Sequence, residues 1–387
     1  MMEIAEKYKQ TEIGLIPSDW EVRTLGEVGD VKMCRRIFNN ETSSNGSVPF
    51  FKIGTFGKEP DAYISREQYE DYRKRFSFPR KGDILISAAG TIGRTIVYNG
   101  DDAYFQDSNI VWLENDFSTV SNEFLYHIYQ VVKYNTEGGT IQRLYNSILK
   151  AAKFACPPKA EQTAIATALS DADALISSLE KLIAKKRMIK QGAMQQLLQP
   201  KEGWEVKKLG DFIRFQTGFP FPSENFTTNT KGIRLIKNRD LRSDDSIVFY
   251  TGDFNKEFIV ENGDLLIGMD GDFEPVLWNK GKALLNQRVG RVNKLKEISI
   301  PFLSYVLIKE LNEIQIRTSS TTVKHLSHSD IEIIETLLPS PEEQTRIATI
   351  LSDMDTEIAA LETKLEKYRK VKLGMMQNLL TGKIRLI

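Results

Sequence analysis

The residues best suited to catalysis or metal binding are few and scattered along this chain. Its three histidines are His127, His325 and His328, and only the last two share a short spacing, with no further ligand close by in the sequence. A structural zinc site uses four protein ligands and a catalytic one three. A surface or capping role therefore explains His325 and His328 better, and the sequence predicts no metal site.

Motifs for phosphate binding and methyl transfer are incomplete as well. The stretch 90–95, Gly-Thr-Ile-Gly-Arg-Thr, lacks the lysine and the spacing of a nucleotide-binding phosphate loop. The prolines at 157–158 follow a cysteine and precede a lysine, whereas adenine methyltransferases carry Asn/Asp-Pro-Pro-aromatic. Cys34 and Cys156 are too far apart for a disulfide framework or a thiolate metal site. We therefore expect a non-catalytic chain that binds no cofactor itself.

Side chains that pair with base edges and phosphates are clustered in the globular regions. Arginine, lysine, asparagine and glutamine are the usual types in protein–DNA contacts. The 52 basic residues equal the 52 acidic ones, so local clusters rather than the overall charge must favour nucleic-acid binding. The candidate DNA contacts in these clusters are Arg35, Arg36, Lys52, Arg94, Lys237, Asn238, Arg239 and Arg288.

The elements that position these residues are written twice in the sequence. Four blocks recur in the same order at offsets between 181 and 184 residues: 20–27 with 204–211, 82–86 with 263–267, 161–167 with 343–349, and 192–198 with 374–380. This period far exceeds the 20–50 residues of a solenoid unit, so a whole domain with its linker is repeated. Between the blocks the two halves diverge, which predicts two similar domains that read different targets, related by an internal pseudo-twofold.

Each half ends in a long predicted helix, from about Lys159 to Leu198 and from Pro341 to about Leu380. Apolar residues recur every seven positions on both, interrupted by lysines, which predicts two helices packed antiparallel in a coiled coil. Forty residues correspond to about 60 Å of helix, long enough to separate two reading domains. A hairpin that only dimerises the protein is the alternative. The predicted helix and subunit interface comprises Gln162, Ile165, Leu169, Ile176, Leu179, Ile183, Gln344, Ile347, Leu351, Met354, Ile358, Leu361 and Leu365.

The globular halves contain short β-like runs separated by turn residues, followed by helical segments, so each is predicted to be an α+β domain. The predicted boundaries are 1–157 and 201–339 for the two domains, and 158–200 and 340–387 for the helices. No apolar run approaches the roughly 18 residues of a membrane helix, and the N-terminus has no signal-peptide pattern. We therefore expect a cytoplasmic protein.

The layout resembles the specificity subunit of type I restriction–modification systems over essentially the full chain. The motifs are Ile-Pro-x-x-Trp-Glu-Val at 16–22, Gly-Asp-Ile-Leu at 82–85 with Gly-Thr-Ile-Gly at 90–93, Pro-x-x-Glu-Gln at the helix starts, and Leu-Gly-Met-Met-Gln-x-Leu-Leu-Thr-Gly at 373–382. The resemblance implies two target-recognition domains, each reading one half of a split site in double-stranded DNA. It also implies DNA contacts at Thr91, Thr140, Gln142, Arg143, Thr321, Thr322 and Lys324.

The resemblance further implies two methyltransferase subunits bound to the helices, together with restriction and motor subunits. S-adenosylmethionine, ATP and magnesium would belong to those partners. The second domain departs from the pattern, because Asp-Gly-Asp at 270–272 replaces Gly-Thr-Ile-Gly. Two other functions remain open on the sequence alone: a coiled-coil scaffold without a nucleic-acid role, and the recognition module of another methyltransferase–nuclease system.

Overall fold

The computed structural model describes residues 7–134, 143–271, 273–317 and 325–386. The chain divides into two compact units: unit 1 is residues 1–180 with 364–387, and unit 2 is residues 181–363. Each unit therefore combines one globular domain with a segment from each of the two long helices.

The strands of unit 1 are β1 Tyr8–Thr11, β2 Gly14–Pro17, β3 Glu21–Thr24, β4 Gly29–Lys32, β5 Val48–Phe51, β6 Tyr63–Ile64, β7 Ile84–Ser87, β8 Thr95–Val97, β9 Tyr104–Phe105, β10 Ile110–Asn115 and β11 Lys153–Cys156. Its helices are α1 Leu25–Val28, α2 Arg66–Arg75, α3 Asn122–Tyr129, α4 Asn146–Ala151 and the first part of α5 Lys159–Leu197, with a 3-10 turn at Asn39–Glu41.

The strands of unit 2 are β12 Glu205–Lys208, β13 Ile213–Thr217, β14 Phe226–Thr227, β15 Ile233–Ile236, β16 Val248–Tyr250, β17 Ile259–Val260, β18 Leu265–Gly268, β19 Pro275–Leu277, β20 Ala283–Leu285, β21 Val289–Lys294 and β22 Glu335–Leu338. Its helices are α6 Ile300–Arg317, α7 His328–Glu332 and the first part of α8 Pro341–Leu379, with 3-10 turns at Leu209–Asp211, Ser223–Asn225, Asn238–Leu241 and Lys256–Phe258.

A four-stranded antiparallel sheet forms the centre of each domain. Its strand order is β4-β10-β7-β8 in unit 1 and β13-β21-β18-β19 in unit 2. Successive side chains of a strand point to opposite faces. Ile84 and Ile86 accordingly pack into the core that includes the helices, and Leu85 packs into a second core with the neighbouring sheet. Both faces are covered, which explains why β7 and β18 are buried along their whole lengths.

The second sheet is where the two domains differ. In unit 1 it has three strands in the order β6-β5-β9, and in unit 2 five strands in the order β14-β16-β15-β20-β17. Unit 1 also has the ten-residue helix α2, capped by the Ser65 hydroxyl, which accepts a hydrogen bond from Gln68 N. The sequence divergence between the matched blocks thus corresponds to a different second layer on a common central sheet.

The two long helices contain 39 residues each, within a residue or two of their predicted ends. In each unit their segments run antiparallel, as the cross-helix ion pairs show. Unit 1 joins Asp173 to Lys372 and Glu180 to Arg369. Unit 2 joins Asp355 to Lys190 and Glu362 to Arg187. The predicted class, α+β with two similar domains and two long antiparallel helices, is confirmed.

The predicted helix-interface residues lie along the apolar sides of α5 and α8. Ile176, Met354 and Leu361 are partly buried. The buried ones are Gln162, Ile165, Leu169, Leu179, Ile183, Gln344, Ile347, Leu351, Ile358 and Leu365. Part of this burial comes from each unit's own core, which includes Ile165 and Leu169 in unit 1 and Ile347 and Leu351 in unit 2.

The residues after α8 return to the first domain of unit 1. Arg385 makes a bidentate ion pair with Asp19 at 2.9 Å and bonds Glu161 at 2.6 Å. Glu161 is fully buried and also accepts a hydrogen bond from the Trp20 indole at 2.9 Å. Gly382, with φ of +70°, turns the chain after the helix. The repeated tryptophan motif therefore lies at a junction between domain, helix start and C-terminal segment.

Candidate nucleic-acid interface

Most of the predicted DNA-contact residues that the structure describes lie at one end of the central sheet. We call this end the site edge: in unit 1 it is where β7 ends and β10 begins, and in unit 2 where β18 ends and β21 begins. The register brings Ser87 opposite Ile110 in unit 1 and Gly268 opposite Val289 in unit 2. Strands that end or begin here therefore direct their flanking loops to a common surface.

In unit 1 the site edge gathers residues from four segments, since Thr91 and Arg94 share the turn between β7 and β8. The residues are Arg36 after β4, Lys52 after β5, Thr91 after β7, Arg94 before β8, and Arg143, which forms an antiparallel bridge with Ala89. Strand β5 pairs in parallel with β9, which places Lys52 beside the turn that leads into β10. The central sheet thus brings together side chains that are up to about a hundred residues apart in sequence.

The turn before β10 orients two of the arginines. Asp107 accepts a hydrogen bond from Arg36 Nε at 2.8 Å and one from the Ser108 hydroxyl at 3.0 Å. Arg143 reaches the Ser108 carbonyl oxygen at 3.4 Å. Ser108 has a φ of +54°, which is uncommon for a residue with a side chain. This turn was not predicted as part of the site.

The Gly-Thr-Ile-Gly segment forms the tight turn between β7 and β8. The Ser87 hydroxyl donates to the Thr91 carbonyl oxygen and accepts from Arg94 N at 3.0 Å. Gly93 has a φ of +80°, and a Cβ there would lie 3.0 Å from the Tyr134 ring. Glycine is therefore required at position 93. The guanidinium of the next residue, Arg94, lies 6.0 Å from the centre of the Phe56 ring.

Arg35 and Lys52 have partners of their own. The Arg35 guanidinium lies 5.4 Å from the centre of the Phe76 ring, which directs it away from its neighbour Arg36 and towards the end of α2. Lys52 pairs with Asp61 at 2.8 Å. Both side chains remain accessible to solvent, so neither partner excludes a role in binding.

In unit 2 the Asp270 carboxylate lies at the site edge and contacts several other residues there. Asp270 follows β18 and accepts hydrogen bonds from Arg288 at 2.8 Å and from His325 at 2.9 Å. Its main-chain carbonyl accepts a hydrogen bond from Asn238 Nδ2 at 2.6 Å. Two of the predicted DNA contacts, Asn238 and Arg288, are therefore held by one residue.

Lys237 and Arg239 flank Asn238 after β15. Lys237 is the counterpart of Lys52, because β15 pairs in parallel with β20 as β5 does with β9. Burial lowers the pKa of the Lys237 amino group, against the opposite effect of the Asp240 carboxylate. Arg239 is exposed, with the Asp240 carboxylate at 3.9 Å. Lys237 is thus the more enclosed of the two cations.

The remaining predicted contacts, Thr140, Gln142, Thr321, Thr322 and Lys324, lie outside the described residues. The described residues that follow these positions, Arg143 and His325, form bridges with Ala89 and Asp270 at the site edge. The structure shows where the described residues lie relative to the site edge. That any of the proposed residues contacts DNA stays a prediction.

Gln162 and Gln344 act at the junction between domain and helix. Gln162 donates to the carbonyl oxygens of Pro157 and Thr119, both at 2.9 Å, and accepts from Ser121 N at 3.1 Å. Gln344 donates to the Pro339 carbonyl oxygen at 3.0 Å and accepts from Ser299 N at 2.9 Å. The repeated Glu-Gln motif therefore attaches each helix to its own domain.

Sequence reasoning missed Asp107, Asp270 and His325 as parts of the site. The signal for Asp270 was present, because it departs from the Gly-Thr-Ile-Gly pattern of the first domain. What the sequence did not show is that His325 and Arg288 converge on it from two other segments.

Two further observations concern the described part of the chain. Across residues 7–134, 143–271, 273–317 and 325–386, no helix has both the length and the apolar character needed to cross a membrane. Over the same ranges no three histidine, cysteine or acidic side chains are grouped so that they could hold a metal ion.

Comparison with known proteins matches both halves of the chain to the same family of domains. A family model described as the type I restriction modification DNA specificity domain matches residues 17–187 and again 201–368. A putative type I restriction enzyme specificity subunit of Haemophilus influenzae is 54% identical over 160 residues, which are 41% of this chain and only 42% of that protein.

Two other relatives extend over nearly the full length. The putative type I restriction enzyme MjaX specificity subunit of Methanocaldococcus jannaschii is 27% identical over 98% of this chain and 97% of that protein. The crystal structure of the S subunit of a type I restriction–modification system from M. genitalium has a TM-score of 0.65, with 18% identity over 97% of this chain and 98% of that one. This structural similarity supports the fold.

These matches do not favour a scaffold without a nucleic-acid role or a module of another methyltransferase–nuclease system. The resemblance inferred from the sequence motifs is confirmed by the family model, which covers most of both halves. The chain belongs to the type I restriction–modification DNA specificity family and carries two copies of its domain.

Proposed function

We propose that this chain is the non-catalytic subunit that selects the DNA sequence in a type I restriction–modification complex, each domain reading one half of a bipartite target. One observation carries the proposal: both domains place arginine and lysine side chains at the same end of the same central sheet, but with different residues, and unit 2 adds the Asn238 amide there. A shared frame with different contact residues is what two readers of different half-sites require.

The charges at the site edges support a large electrostatic contribution to binding. Arg36, Lys52, Arg94, Arg239 and Arg288 are all accessible to solvent there. Cations that neutralise phosphates release counterions, so the affinity for any duplex should fall steeply with salt. The sequence preference should instead depend on side chains that reach the base edges in the grooves.

The long helices are proposed to set the half-site spacing and to bind two methyltransferase subunits. A continuous helix of 39 residues is about 58 Å long at 1.5 Å per residue. Large apolar side chains are exposed on both helices although each helix also buries an apolar side: Leu175, Leu182, Met188, Ile189, Val371 and Leu373. In this proposal these side chains contribute to the surface that contacts the methyltransferase subunits.

Catalysis is assigned to the partners. Methyltransferase subunits would hold S-adenosylmethionine, and restriction and motor subunits would hold ATP and magnesium. The assembled complex would then methylate adenine and cleave DNA in an ATP-dependent reaction, in the cytoplasm where its DNA lies. Under this proposal the site edges of this chain bind none of these cofactors.

The experiment is to purify the full chain with the methyltransferase subunit that it captures and to sequence the methylome of cells with and without its gene. We expect one bipartite adenine-methylated motif to disappear on deletion. An unchanged methylome, or a motif that is not split into two halves, would contradict the proposal.

A further inference from the structure

The Asp270 carboxylate connects three separate segments of the second domain. It receives Arg288 Nη1 on one oxygen at 2.8 Å and His325 Nδ1 on the other at 2.9 Å. Asn238, from the turn after β15, donates to its carbonyl oxygen at 2.6 Å. Both carboxylate oxygens and the main chain are thus used to fix neighbouring side chains.

The carboxylate is the less exposed part of this cluster, and the two side chains that donate to it are more exposed. The Asp270 side chain is 22% exposed, whereas those of Arg288 and His325 are 67% and 58% exposed. The described residues provide the Arg288 guanidinium with no other hydrogen-bond partner. An arginine has five N–H donors, so most of the Arg288 donors remain available for a ligand.

Among the described residues of the first domain, the corresponding bridge carries no carboxylate. The bridge between Asp270 and His325 corresponds to the bridge between Ala89 and Arg143, and alanine offers no carboxylate. There the acid is Asp107, which lies on the turn before β10 and holds Arg36 instead. The two domains therefore orient an arginine at the site edge with an acid from different segments, as expected if they read different bases.

The ligand chemistry follows from the donors. A guanidinium held in one plane suits two adjacent acceptors, and guanine presents N7 and O6 together in the major groove. The Nδ1–H of His325 is committed to Asp270, which fixes the ring and leaves Nε2 for a second partner. Beside the cluster a groove of about 350 Å³, lined in part by Asn238, Arg239 and Asp270, leaves room for a base edge.

We propose that Asp270 is a positioning residue for sequence recognition by the second domain, fixing Arg288 for contact with the guanine of a G·C pair in that domain's half-site. This inference rests on the proposed function, since it concerns the same site edge. Asp270 itself does not touch the base. It holds the Arg288 guanidinium and the His325 ring in one orientation before DNA binds, so that less conformational entropy is lost on binding.

The test uses the full chain in complex with its methyltransferase subunits and synthetic duplexes that carry the methylated motif with each base pair changed in turn. We expect Arg288→Ala to lower the preference for one G·C pair in the second half-site by about 10- to 100-fold. Asp270→Ala should relax the same position, His325→Ala should have a smaller effect there, and Asp270→Asn should keep part of the preference. Glu205→Gln, which changes an exposed acid paired with Lys207 on β12, is the control in the same unit and should leave that position unchanged.

Discrimination in the first half-site serves as the internal control for folding. If Asp270→Ala leaves every position of the second half-site unchanged, or if Arg288→Ala weakens all sequences equally, the inference is overturned, the latter because Arg288 would then contact phosphate. A wild-type complex that binds no bipartite site would instead overturn the proposed function itself.

Discussion

Lys372 Nζ lies 2.6 Å from Asp173 Oδ1, across the two long helices. Lys190 and Asp355 form the same ion pair in unit 2, and each residue of one pair lies 182 positions from its counterpart, 190 to 372 and 173 to 355. Lys186, the third lysine that interrupts the apolar rows, pairs with Glu357 at 2.6 Å. The interruptions are therefore cross-helix ion pairs, and two of them follow the internal repeat.

Removing one partner of such a pair should destabilise the chain. Asp173→Ala leaves the Lys372 side chain, only 15% exposed, without its acid. We expect a loss of about 1–3 kcal/mol of unfolding free energy, which the urea midpoint should report. Adding Lys372→Leu should recover most of the loss, because leucine continues the apolar row.

Asp171→Ala is the matched control for this change, since Asp171 is exposed on the same helix. It should change the free energy of unfolding by no more than about 0.5 kcal/mol. Equal losses from the two single variants would show that the cross-helix pair does not stabilise the helices.

A second prediction concerns the attachment of the first helix to its domain. Gln162→Leu removes the four hydrogen bonds of the side-chain amide, which join it to the Thr119 and Pro157 carbonyl oxygens, Ser121 N and Cys156 Sγ. Buried polar groups left unpaired cost about 1–3 kcal/mol each, so a loss of several kcal/mol is expected in thermal unfolding. Gln196→Leu, on an exposed position of the same helix, should leave the melting temperature nearly unchanged.

If Gln162→Leu proved as stable as the wild type, the helix start would not depend on this amide. The proposed spacing role of the helices would then lose its rigid connection to the first domain.

A third prediction concerns pH. His127 is fully buried on α3, and burial lowers its pKa, with the nearby Asp173 carboxylate raising it and Lys372 lowering it. The His127 imidazole is therefore harder to protonate in the folded chain than in the unfolded chain, where it accepts a proton below about pH 6.5. The contribution of His127 to stability is complete above that pH and is lost as the pH falls below it.

We expect the melting temperature of His127→Phe to fall less than that of the wild type between pH 6.5 and 5. His328→Gln, at an exposed position, should follow the wild-type curve. Parallel curves for the wild type and His127→Phe would contradict the assignment.

Much of the fold could be predicted from the sequence because its signals are local or repeated. The starts of the long helices at Lys159 and Pro341 follow from prolines and capping residues. Strands such as β7 and β18 follow from short apolar runs. The second sheet could not be predicted, because its strands have two to four residues and its parallel pairs join distant segments. Such short strands depend on tertiary packing more than on their own sequence.

For the site, the residue types were predictable and their arrangement was not. Arg36 and Arg288 were selected as cations, but the acids that orient them, Asp107 and Asp270, follow or precede central strands in loops without a repeated motif. From the sequence alone, an acid in a turn is expected to be solvated. Only the register of the neighbouring strands shows which side chains lie opposite it. The repeat identified the divergent loops, and the sheet showed which of them share an edge.

The most direct test of the account is a domain exchange. Residues 30–150 would be replaced by the corresponding segment of another specificity subunit, and the methylated motif determined in the complex with the methyltransferase subunits. The account predicts that one half of the motif changes while the other half stays the same. A change in both halves, or in neither, would contradict the claim that the two domains read separate halves of the DNA site.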